Sequence, residues 1–367
     1  MGNKSLLTRD ESNAIKGLLI FLIVLGHNTF FTKNIPGFQA WLYCFHVQCF
    51  FALPFLYPSK KLCKESVANY FVRLYYPYII LFITYTILFK YLQSVIPPQT
   101  SASFIPPNDV SITGWLRTLF TGNRYLIEYF GGFQYLWFLP AMFSAMIIKQ
   151  IYEHTICHKD KLIKTFFFLM SLVCYIMFLV FFYTQPYDKT LNYNLMQFSL
   201  FACLQGFGAT FVGFSIQYII KHYKSTYGSI CLFIFLTIST LYFLLMWRNN
   251  EYLIWIMRAI LPIIFFVLIY SYRQILSKSN ILEKLGEYSF LIYVTHPIFC
   301  KISAFIIPTS ISNNWLLIFL SQILITLASY YSSLLITKIS WIRRGLFPNN
   351  TKELMWLLQS RENRVQK

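Results

Sequence analysis

Apolar residues run along this chain in blocks of about bilayer length, separated by short polar and basic stretches. The pattern predicts ten spans, near residues 13–31, 38–57, 75–96, 133–152, 165–183, 195–219, 229–247, 252–272, 288–307 and 315–338. The fold class that follows is all-α: a polytopic integral membrane bundle of about ten transmembrane helices. No small-residue cleavage site follows the first run, which reads as a retained span and not a signal peptide. Residues 1–338 read as one transmembrane domain and 339–367 as a basic amphipathic tail on the inner membrane surface.

The first span, Asn13 to Phe31, breaks its own pattern. It carries Lys16 at one end and His27 deep inside. Eleven residues separate the two, about 20° past three full turns and about 16 Å along a helix axis, so they share a face. Asn13 falls near the same stripe. An ionisable residue inside a span is costly and is a functional candidate by default. The plain alternative is a histidine satisfied by a neighbouring helix, with Lys16 an ordinary interfacial anchor. The lysine stripe and the Gly26-His27-Asn28 context favour function.

Composition sharpens the picture. The chain has 367 residues, 57% apolar and 20% aromatic, with 12% charged and a mean hydropathy of +0.53, which excludes an ordinary soluble domain. The formal charge of +18 points to basic cytoplasmic loops and not to nucleic acid. With the N-terminus inside, five basic residues fall in outside segments: Lys33, Arg117, Arg124, Lys189 and Arg248. Lys90, Arg258 and Lys301 lie within or at the edges of spans, and the other 23 of the 31 Lys and Arg lie inside. Both termini are therefore expected in the cytoplasm. The eight cysteines are scattered, without CxxC or metal-ligand spacing, and imply neither a disulfide framework nor a zinc site. His154, Cys157 and His158 lie close in sequence without a second ligand cluster and read as a solvated loop.

Further chemistry is spread along the chain. His46 lies in the second span and His296 in the ninth. Counting from the cytoplasmic ends of their spans, His27, His46 and His296 sit about 21, 17 and 12 Å deep in a core of about 30 Å, so they can share one cavity. No Asp or Glu falls at mid-membrane, which leaves a histidine base, alone or oriented by Tyr293 or Asn28. Lys60, Lys61, Lys64 and Arg73 form a basic inside loop whose simplest partner is lipid phosphate. Residues 97–132 form a long outside loop with Trp115, Arg117, Arg124, Tyr125 and Glu128, which suits either sugar stacking or an interfacial aromatic belt. Pro140 is expected to kink the fourth span. Gln205, Gly206, Gly208 and Gly213 suggest close helix packing. Arg258 either binds an anionic part of a ligand or pairs with Glu251.

Several of these segments together resemble the membrane acyltransferase-3 family, which holds polysaccharide O-acetyltransferases and fucose-4-O-acetylase-like proteins. The opening basic residue and the histidine eleven residues later match at Lys16 and His27, with Asn13 where many members have Asp. The segment Phe45-His46 with Phe50 and Phe51 matches, with Pro54-Phe55 in place of Ser-Gly. Arg73, Leu74 and Pro77 match a basic segment, with Tyr70 at its first Arg. The run Leu136 to Pro140 is similar to a common family segment. Leu285, Gly286, Ser289, Ile292, Tyr293, His296 and Pro297 match the ninth-span signature. The resemblance implies an O-acyltransferase in a bacterial plasma membrane. It would move acetyl from cytoplasmic acetyl-CoA, without a metal, to a hydroxyl of a surface polysaccharide or its lipid-linked precursor. His27, with His46 and His296, would be catalytic; Lys16, Arg73 and Arg258 would bind the donor. The expected partners are acetyl-CoA, the glycan and membrane lipid, and not nucleic acid. The alternative is a transporter or flippase for a lipid-linked glycan, with the intramembrane histidines and Arg258 lining its path. A non-catalytic membrane partner would leave the histidine stripe unexplained.

Overall fold

A computed structural model describes residues 5–35, 37–58, 64–95, 111–131, 134–183, 201–223, 227–247, 251–306 and 314–355. The helices in chain order are α1 (Arg9–His27), α2 (Thr29–Asn34), α3 (Phe38–Tyr43), α4 (His46–Ala52), α5 (Lys64–Tyr70), α6 (Tyr76–Val95), α7 (Ile112–Thr121), α8 (Arg124–Gly131), α9 (Phe138–His154), α10 (Lys161–Tyr183), α11 (Phe201–Lys221), α12 (Tyr227–Trp247), α13 (Glu251–Ser271), α14 (Arg273–Leu276), α15 (Asn280–Glu287), α16 (Ser289–Ile306), α17 (Trp315–Lys338) and α18 (Ser340–Leu346). Among the described residues there is no strand. Five helical stretches are long and apolar enough to cross a membrane: Lys64–Tyr91, Lys161–Leu179, Ala202–Lys221, Tyr227–Leu244 and Trp315–Lys338. Their outer faces are apolar. On α10, Leu162 is 81% and Phe166 65% exposed, which water would penalise and lipid would not. Lys60, Lys61, residues 97–110 and the tail beyond 355 lie outside the described residues.

Two of the expected spans are not single helices. The first stops at His27. Asn28 takes an extended conformation (φ −72°, ψ 104°), and its side-chain oxygen accepts from the Phe30 N–H at 3.1 Å, starting α2. The second breaks after Tyr43, because Phe45 (φ −130°) leaves the helical region before α4 begins. Pro140 is the third residue of α9, in its first turn, where a missing N–H removes no intrahelical bond of α9. The segment read as a long outside loop forms α7 and α8. Ser111 caps α7, the left-handed Gly122 (φ 59°) ends it, and α8 buries Leu126, Ile127 and Phe130.

The chain divides into two compact units. The first holds residues 1–58 and 209–334. In it α1 packs along α15 and α16 and against α3 and α4, while α12 lies on α13. A capping box starts α1: Thr8 Oγ1 accepts from the Glu11 N–H and Glu11 Oε2 from the Thr8 N–H, at 3.3 and 2.9 Å. Glu11 also pairs with Arg273 at 3.2 Å. α17 turns a polar stripe inward, Ser321, Gln322, Thr326, Ser329 and Ser333. Ser321, Thr326, Ser329 and Ser333 donate to carbonyls one turn back on α17 itself, so its polar groups are satisfied within the helix.

The second unit holds residues 59–208 and 335–367. Between α5 and α6 the chain widens into a π-turn over Phe71–Tyr75, where the Tyr76 N–H reaches the Phe71 carbonyl. Pro77 follows at once; it cannot donate to the Arg73 carbonyl, and the wider turn absorbs that loss. Gly206 and Gly208 let α11 approach its neighbours closely. A Cβ at Gly206 would meet that of Ser144 at 2.6 Å, and one at Gly208 would meet Tyr175 Cα at 2.9 Å. The tail folds back on this unit. Tyr76 donates to the Gly345 carbonyl at 2.8 Å, the Thr351 N–H to Asn69 Oδ1 at 3.0 Å, and Arg343 to Glu353 at 2.9 Å.

Candidate active site

The site is built on the two ends of α1. Near its start, Lys16 is half-buried and donates to Asn13 Oδ1 at 2.8 Å. There α15 crosses with no side chain between the backbones. A Cβ on Gly286 would strike the Asn13 carbonyl oxygen, and one on Gly17 the Leu282 carbonyl oxygen. Leu285 and Gly286 are thus a helix crossing, and the chain then turns through Tyr288 into α16.

At the far end α16 returns His296 to α1. The His27 and His296 rings lie 5.2 Å apart, tilted by 30°. On another side of His27 the Tyr43 hydroxyl lies 2.6 Å from Nδ1 and 3.0 Å from Nε2. Tyr43 in turn meets the His46 ring edge-on at 5.0 Å. The three histidines of the first, second and ninth expected spans are therefore brought together, with Tyr43 between His27 and His46.

Their hydrogen bonds define their states. His46 Nδ1 faces the Leu42 carbonyl, and His296 Nδ1 the Ile292 carbonyl at 3.1 Å. A carbonyl only accepts, so both neutral rings carry their proton on Nδ1 and a lone pair on Nε2. For His46 this contact serves the fold too. It adds a side-chain tie to a carbonyl at the break between α3 and α4 that the Phe45 N–H also reaches, at 3.3 Å. His46 and His296 are fully buried and His27 is 9% exposed.

Of the expected orienting residues, Asn28 directly follows His27 and Tyr293 precedes His296 on α16. The Asn28 amide donates to Ser321 Oγ and to Gln322 Oε1, both at 3.1 Å, and so ties the end of α1 to α17. Tyr293 packs against His296, ring centroids 5.9 Å apart and tilted by 49°. Tyr43 is the side chain the sequence reading passed over. It ends α3, and the break at Phe45 that separates it from His46 carries no sequence signal. Gln39, four residues before Tyr43, donates to the Gly26 carbonyl at 3.2 Å, so α3 braces the last turn of α1 twice.

The remaining candidates lie on other elements. Arg258 is half-buried on α13, beside Cys44 and Tyr242 of the first unit; a pairing with Glu251 lies outside the described side chains. Arg73 is exposed on the π-turn of the second unit. Among the described residues the cysteines are all free, and no group of three or more His, Cys, Asp or Glu is placed to hold a metal ion.

A family model described as an acyltransferase domain, that of the acyltransferase-3 family, matches residues 9–335. The chain belongs to that family. It is an acyltransferase and a multi-pass membrane protein, and the transporter and flippase readings lose their footing. No curated protein and no solved structure matches it.

Proposed function

We propose that the chain transfers an acetyl group from acetyl-CoA to a hydroxyl of a carbohydrate, a surface polysaccharide or its lipid-linked precursor, in a bacterial plasma membrane. The observation that carries this reading is the placing of Lys16 and His27 on one face of α1, with His27 held in a cluster of three histidines. A cation about 16 Å from a base suits a donor whose phosphates lie at one end of an extended arm and whose thioester lies at the other. Both termini would be cytoplasmic, with the Lys16 end of α1 towards the donor.

In this reading Lys16 holds donor phosphate, and Arg258 is a further cation of the same unit. For Arg73 the proposal rests on its place in the basic segment after the second expected span. His27 takes the proton of the acceptor hydroxyl as that oxygen attacks the thioester carbonyl. The carbon–sulfur bond breaks, and the proton passes to the leaving thiolate. A positioned base contributes about 10²–10⁴-fold. His296 packs on His27 and His46 backs Tyr43, so that both shape the site around the base.

The test is coenzyme A release from acetyl-CoA by the purified protein in lipid nanodiscs, with mass spectrometry of surface glycans from cells with and without the gene. His27→Gln keeps hydrogen bonding without basicity and should lose about 10²-fold or more in turnover. Near-normal turnover by His27→Gln would make the histidine structural. Turnover without any acetylated glycan would overturn the acceptor assignment.

A further inference from the structure

The second span breaks at the level of His27, and the residue that ends α3 is Tyr43. Its hydroxyl reaches the edge of the His27 ring, at 2.6 Å from Nδ1 and 3.0 Å from Nε2. The ring is bounded by His296 at 5.2 Å on one side and by Tyr43 on another. Tyr43 is itself held: its ring packs edge-on against His46 at 5.0 Å, and His46 is tied to the Leu42 carbonyl next to Tyr43. The turn before, Gln39, fastens α3 to the Gly26 carbonyl. A hydroxyl fixed this firmly, nearer to Nδ1 than to Nε2, restrains the rotation of the imidazole.

We infer that Tyr43 is the positioning residue for the His27 base. The inference rests on the acyl-transfer reading above. In this proposal the Tyr43 oxygen accepts from the nearer nitrogen, Nδ1–H, and the Nε2 lone pair takes the acceptor's proton. When that proton arrives the ring is an imidazolium, and the bond to Tyr43 becomes charge-assisted and stronger. Tyr43 therefore acts on the transition state through His27 without touching either substrate. Its role resembles that of a carboxylate behind a catalytic histidine, filled by a neutral group in a span with no acid at that depth.

Tyr43→Phe removes only the oxygen and keeps the ring that packs on His46. Coenzyme A release by the variant in nanodiscs should show kcat lowered about 10-fold or more, the loss expected of one hydrogen bond to a charged group, with KM for acetyl-CoA unchanged. The double variant Tyr43→Phe/His27→Gln should be no slower than His27→Gln alone, because a residue that acts through His27 has nothing left to act on. A full kcat in folded Tyr43→Phe, beside a His27→Gln that is dead, would overturn the positioning role and leave the base intact. Losses that multiply in the double variant would also overturn it, since they mark a contribution independent of His27. If His27→Gln itself turns over normally, the base assignment falls, and the role of Tyr43 falls with it.

Discussion

Gly286 passes the carbonyl oxygen of Asn13 without room for a Cβ between them. Both sides of this contact are backbone, so neither can move aside as a side chain would. Gly286→Ala should therefore strain the α1–α15 crossing by about 1–3 kcal/mol, and the protein should unfold at lower temperature in detergent. Gly228→Ala is the comparison in the same unit. Its Cβ would meet the Ser271 side chain at 3.0 Å, a side-chain contact, and the shift should be smaller.

Asn28 supplies both a helix cap and a tie to α17. Asn28→Ala loses both functions. Asn28→Ser keeps a hydroxyl that can accept from the Phe30 N–H but is too short to reach Gln322. Both variants should be less stable than the parent, with the serine variant recovering about 1 kcal/mol of the loss. Thermal unfolding of the three proteins side by side decides it; equal losses would show that the cap contributes nothing.

Lys16 is expected to act on the donor. Lys16→Ala should weaken acetyl-CoA binding, measured by calorimetry, while the protein still inserts and folds. Lys16→Arg should retain function, although the two cations differ where geometry is tight. Unchanged donor affinity in a well-expressed Lys16→Ala protein would remove Lys16 from the site.

The tail clasp has a pH dependence with a definite sign. Burial pushes the Glu353 carboxyl up, but hydrogen bonds from Arg343 and the Asn349 N–H outweigh it and hold the group below its usual 4.5. A carboxyl whose folded value is depressed contributes stability above its unfolded value and loses it as pH falls through the folded one. The clasp over residues 340–355 should thus be closed at neutral pH and loosen in acid. Glu353→Gln should loosen it at every pH. Hydrogen exchange of that segment at neutral and acidic pH measures both; an unchanged pattern in Glu353→Gln would show that the clasp does not depend on the charge.

Much of this architecture was legible in the residues. Apolar blocks mark the long helices because their outer faces stay apolar, and the spacing from Lys16 to His27 survives because α1 is regular over that whole stretch. What escaped is local. The break at Phe45 follows a backbone torsion that no hydrophobic pattern encodes, and the folding of residues 112–131 into two helices depends on caps at Ser111 and Gly122. Tyr43 was missed for a related reason. In an unbroken span it would be one aromatic among many, and only the break turns it onto His27. The stripe Ser321, Ser329 and Ser333 was readable as one helical face, but its partner Asn28 lies 293 residues from Ser321 in sequence.

The segment from Leu285 to His296 touches α1 twice, at Asn13 through Gly286 and at His27 through the imidazole of His296. A dozen residues thus grip both ends of the helix that carries Lys16 and His27. The distance between Lys16 and His27 is set like the jaws of a caliper, and α1 cannot slide along its axis without opening one jaw. A change confined to the crossing at Gly286 should therefore be felt at His27 as well. Variants there ought to lose donor affinity and turnover together, even though the crossing itself is backbone against backbone.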